Sequence, residues 1–93
     1  MSISRELTVI NGQFTNQEAQ EILITIFSTK IQFHELKNLR SLLQNGIQDE
    51  IAERRIPELK TGIDELLKIV TEANKNDKLL SIKSTITVSI LDK

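Results

Sequence analysis

The sequence predicts an α+β fold with the order β-α-α-β. Three observations carry that prediction. The segment Leu80 to Leu91 alternates, with Leu80, Ile82, Ile86, Val88 and Ile90 on one parity and Ser81, Lys83, Thr85, Thr87 and Ser89 on the other. Side chains alternate faces along a strand, so this pattern wants one face on a core and one in water. Two long stretches with helical spacing precede it, separated by Asn45-Gly46. A shorter extended segment opens the chain.

Ile3 to Ile10 reads as the first strand, with Ile3, Leu7 and Val9 on one parity and Arg5 breaking it. Asn11-Gly12 carries a turn signal. Thr15 to Glu18 (T-N-Q-E) has capping-box spacing. A helix from Asn16 to about Gln44 should follow. Ile22 to Phe27 is rich in β-forming residues and also suits a buried strand, but the cap and the continuing pattern at Phe33, Leu36, Leu39, Leu42 and Leu43 favour helix.

At about 100° per residue, Ala19, Ile22, Ile26 and Phe33 share one face of this helix, while Ile24 and Ile31 fall nearly opposite Ile22. A helix apolar on several sides has to be covered on several sides. Gly46 suits a left-handed cap at its end. A second helix is expected from Gln48 to Asn74, with one apolar stripe through Ile56, Leu59, Ile63, Leu66, Leu67, Val70 and Ala73. Glu50/Arg54 and Asp64/Lys68 have favourable ion-pair spacing. Pro57 removes one backbone bond and crowds the carbonyl of Glu53, so a kink or a new start is expected there. Ala73 to Lys78 is the exit loop. An antiparallel helical hairpin returns the chain to its starting end, so the two strands can pair antiparallel.

The 93 residues suit a single domain spanning 1–93. A chain of this size buries only roughly 60–65 percent of its unfolded surface, so its core is thin. Twelve basic and thirteen acidic side chains give a net charge of −1, which disfavours a general polyanion binder. No apolar run is long enough for a membrane span, and the N-terminus lacks a signal-peptide pattern. Cysteine is absent, which fits a reducing compartment, so a cytoplasmic location is expected.

Catalytic chemistry is sought and not found. His34 stands alone, without a second histidine at metal-ligand spacing, and reads as a polar surface or interface residue. No phosphate-cradling glycine loop occurs, and the three glycines are isolated. The expectation is no catalytic, metal or cofactor site.

Two strands alone do not make a stable sheet, and a free edge rich in Ile, Val and Thr is an aggregation hazard. Completion by a second copy is therefore expected, as a homodimer or tetramer, through strand pairing or a spare helix face. The candidate interface residues are Ile24, Ile31, Phe33, Arg55, Ile86 and Val88, with Arg55 placed to pair with a carboxylate such as Glu35 of another subunit. The expected function is a non-enzymatic protein–protein interaction or scaffold domain containing coiled-coil-like helices. The alternative is a nucleic-acid-associated regulator using Arg54, Arg55 and Lys60. An enzyme with a site between subunits is the least supported reading.

Overall fold

The computed structural model describes residues 3–93. It has the order β1 (Ser4–Phe14), α1 (Asn16–Asn45), α2 (Glu50–Lys75), β2 (Leu80–Ser89), with β1 and β2 paired antiparallel in one two-stranded sheet. This is the predicted β-α-α-β arrangement around a helical hairpin.

The first helix starts as its cap dictates. The Thr15 hydroxyl accepts from the Glu18 amide at 3.2 Å, and the Thr15 amide donates to the Glu18 carboxylate at 3.0 Å. Two amides without intrahelical acceptors are thereby satisfied. Those backbone and hydroxyl bonds also hold the Glu18 pKa below its ordinary value. Ile22 to Phe27 is helical. At the far end Gly46 adopts φ 66° and donates to the Leu42 carbonyl at 2.9 Å, the left-handed cap that glycine adopts without steric cost.

Asp49 caps α2 by accepting from the Ala52 amide at 2.9 Å. The helix runs through Pro57 as one element, so no new start occurs there. Proline has no N–H, so the Glu53 carbonyl loses its helical donor. The spacing of Glu50/Arg54 and Asp64/Lys68 does not close into ion pairs; the one ion pair among the described residues joins Arg55 to Glu58.

The sheet departs from the expected pattern in two places. Asn11-Gly12 is not a turn: it stays in β1, opposite Lys83 and Ile82, and the strand continues to Phe14. Turn propensity yields here to a ladder already in register. The second departure is a β-bulge, because Thr8 faces Thr85 while Ile10 faces Ser84, leaving Val9 as the extra residue. A bulge exchanges the faces of everything beyond it. Directly opposed residues share a face, so Arg5 and Leu7 lie with Val88 and Ile86, whereas beyond the bulge Ile10, Gly12 and Phe14 lie with Ser84, Ile82 and Leu80. The parity of Ile3, Leu7 and Val9 therefore breaks at Val9, which is exposed, and Ile10 takes its place on the inner face.

That inner face is covered only in part. Near the helices Ile82 is buried and Ile10, Gly12, Phe14, Leu80 and Ser84 are half-buried. Towards the open end Leu7, Ile86 and Val88 are exposed, the last two at 48 and 57 percent. The expectation of a core beneath the whole alternating face thus holds for its first half alone.

Both strands touch α1, and neither has a comparable contact with α2. A hairpin built on a 30-residue helix is about 45 Å long, yet the whole molecule measures 50 × 36 × 15 Å. The ribbon therefore diverges from the hairpin instead of lying along it, and the protein is one layer thick. Its radius of gyration is 16.8 Å, against about 12 Å for a compact domain of this length.

Candidate protein-interaction surface

The core between the helices is small. Ala19 and Ile31 of α1 meet Ala52, Leu59, Val70 and Ala73 of α2 at low exposure, and the Phe27 ring packs beside Gly62, 3.7 Å from where a Cβ would stand. In the half of this contact nearest the hairpin tip, the α1 side is polar. His34 is 5 percent exposed, and Asn38 and Ser41 are half-buried on the same side. Asn38 accepts from the Asp49 amide at 2.7 Å, and Ser41 donates to the Ile47 carbonyl at 2.7 Å. These bonds latch the tip beside the buried Ala52 methyl group.

The leucines of this half point elsewhere. Leu36, Leu39 and Leu43 are all exposed, Leu43 at 77 percent. With Ile22, Ile26, Thr29, Phe33 and Arg40 they belong to the outer side of α1. Ile22, Ile26, Thr29, Phe33, Leu36, Arg40 and Leu43 follow one another at steps of four and three, the spacing of a coiled-coil seam. A shallow groove lined by Thr25, Ile26, Thr29, Lys30 and Phe33 runs along it. The Lys30 ammonium sits 4.6 Å from the centre of the Phe33 ring, a cation–π contact. By contrast, the outer face of α2 is polar, through Arg54, Lys60, Thr61, Asp64, Lys68 and Glu72. One helix is built for water on its free side and the other is not.

The sequence-derived residues sort unevenly. Phe33, 54 percent exposed, lies in this seam. Ile31 does not: it is 8 percent exposed and packed inside the protomer, so it is no part of a spare face. Ile24 is half-buried towards the same side. The reason is phase. With apolar residues around most of the helix, α2 had two candidate faces, and it packs on the one carrying Ile31 and His34. Ile86 and Val88 form a second exposed apolar cluster with Leu7. Arg55 is engaged by Glu58 of its own helix. Arg54, Arg55 and Lys60 diverge around α2 at about 100–140° to each other, so they make no common basic patch. Ile26, Leu36 and Leu43 are the surface residues that sequence reasoning passed over, although their three–four spacing was a readable signal.

His34 is a core residue, not a surface one. Its ring meets Phe33 edge-on at 5.4 Å between centroids, and neither ring nitrogen has a hydrogen-bond partner in the protein. Burial holds its pKa below the ordinary histidine value, with help from Lys30, Arg55 and Lys37 and against a smaller opposing pull from Asp49. Among the described residues no cluster of His, Asp or Glu has the makings of a metal site. No described helix is long and apolar enough to cross a membrane.

No family model matches the chain, and comparison with curated proteins and with solved structures finds no matching sequence or fold.

Proposed function

We propose that this chain is a non-enzymatic protein-interaction or scaffold module that works as a homo-oligomer. The observation that carries this reading is the inverted tip of α1, where His34, Asn38 and Ser41 face α2 and the leucines face outward. A stable domain packs at least two layers around an apolar core; this protomer supplies one layer and leaves apolar surface on its free side. The area agrees. A compact monomer of 10.6 kDa exposes about 5,500 Å², and this chain exposes 7589 Å². The surplus of roughly 2,100 Å² is of the size that obligate interfaces bury. The weak net charge favours self-association over a highly charged partner. The cysteine-free composition is compatible with the cytoplasm, where we place it.

Sedimentation velocity with light scattering, across micromolar concentrations, tests the reading. A species of twice the chain mass or more is expected. A soluble 10.6 kDa monomer at every concentration would refute it.

A further inference from the structure

We infer that the partner is a second copy laid antiparallel, α1 against α1 about a two-fold axis crossing the outer seam at the level of Ile31, with the ribbon of each protomer capping the hairpin tip of the other. This rests on the homo-oligomer reading and adds its geometry. Three uncovered apolar groups bear on the pairing: the α1 seam, the ribbon's overhanging face (Leu7, Ile86, Val88) and the tip (Leu43, Ile47, Ile51). The ribbon diverges at the N-terminal end of α1, and the tip lies at its C-terminal end. Full antiparallel overlap of the two α1 helices brings the ribbon of one protomer to the tip of the other, so one operator covers all three. A parallel pair would instead set ribbon beside ribbon and tip beside tip, with neither ribbon covering a tip.

Side-chain order along the seam fits the same register. With the helices fully overlapped, Ile26 lies across from Leu36 of the second copy, and Thr29 from its Phe33. The Thr29–Phe33 layer places large beside small, as interdigitating helices require, and the Ile26–Leu36 layer pairs two aliphatic side chains.

Charge separates the two orientations. Arg40 is the only charged residue in the seam. A parallel pair would set it against its own copy in a desolvated contact. The antiparallel pair sets it across from Ile22, with the Glu21 carboxylate of the second copy beside it. Arg5, the one charge on the overhanging ribbon face, meets a tip that carries Asp49 and Glu50. Lys30 comes near its own copy beside the axis, where it already lies over the Phe33 ring.

The absence of native cysteine makes the test clean. Gln32→Cys and Gln44→Cys, both at exposed polar positions, are labelled with a nitroxide, and the inter-protomer distances are read by electron paramagnetic resonance. The antiparallel pair brings the Gln32 labels into short-range broadening and holds the Gln44 labels about 40 Å apart, from 26 residues of axial offset at 1.5 Å each. Gln44 labels within about 20 Å would mean a parallel pair with axes 8–10 Å apart, and would overturn the inference while leaving the dimer intact. Gln32 labels without broadening in a dimer would show that α1 is not the interface. A chain that stays monomeric overturns the homo-oligomer reading itself. The ribbon cap is tested by Ile47→Asp, whose side chain is exposed in the protomer. At least tenfold weaker association with unchanged helical circular dichroism is expected, and unchanged affinity would overturn the cap.

Discussion

Phe33→Ala separates the protomer's stability from its association. Phe33 is 54 percent exposed in the protomer. A phenylalanine buries about 150–250 Å² when fully covered, so about 110 Å² remains for a partner to cover. At about 25 cal/mol per Å² this is roughly 2.7 kcal/mol per side chain. Two-fold symmetry counts the residue twice, and alanine retains a part of the area, so the loss is about 4 kcal/mol, or roughly a thousandfold in the dissociation constant. The contact with Lys30 lies within the protomer and is lost in both states. The assay is sedimentation equilibrium of the wild type and the variant, with far-ultraviolet circular dichroism on each. The helical signal is expected to be unchanged while the dimer dissociates at far higher concentration. A dissociation constant within threefold of wild type, with the protein folded, would refute the placement of Phe33 in the interface. Loss of the helical signal would refute the claim that its ring is surplus to the protomer.

Other substitutions read the protomer itself. Gly46→Ala places a Cβ at φ 66° with no atom within 4 Å, so its cost is backbone strain alone, about 1–2 kcal/mol in urea unfolding. Gly62→Ala has the opposite sign: the added Cβ meets the Phe27 ring at 3.7 Å, ordinary contact distance, and a helix-interior alanine adds about 0.5–1 kcal/mol. Thermal unfolding checks it, and a lowered midpoint would show that the helices cannot accept the methyl group. The pH dependence of stability should report His34, whose pKa is lowered from 6.5 in the folded protein. The unfolded chain then takes up the proton first. Stability is full above 6.5 and falls as pH drops towards the folded-state value. His34→Leu should remove that slope and stabilise the protein near neutrality, because it deletes two buried nitrogens without partners; an unchanged slope would place the titration elsewhere.

Local chemistry made most of the architecture readable. The capping box at Thr15 and Glu18 and the left-handed residue at Gly46 bound α1, because caps are contacts among neighbours. The single stripe of α2 fixes its buried face, because only one side of that helix is apolar. Asn11-Gly12 misled because its turn preference is worth less than the pairing of two strands brought together by the hairpin. The bulge at Val9 is invisible in the β1 sequence alone. It depends on the register against β2, which keeps one face through Ile82, Ser84 and Ile86 while β1 takes up the extra residue. Pro57 lies inside α2 because a missing amide costs only one bond where tertiary packing holds the helix on both sides of it.

The uncovered apolar surface was legible as an excess and illegible as a position. A helix with apolar residues on both Ile22 and Ile31 sides carries more apolar face than α2 alone covers, but its pattern does not say which side α2 takes. The polar residues decide. Asn38 and Ser41 bond to the Asp49 amide and the Ile47 carbonyl of the connecting turn, so they must face α2, and His34, one turn earlier, faces it with them. That rotation carries Phe33, Leu36 and Leu43 to the outside. Side chains that close the turn thereby set the phase of the whole helix, and with it which apolar face α2 leaves uncovered.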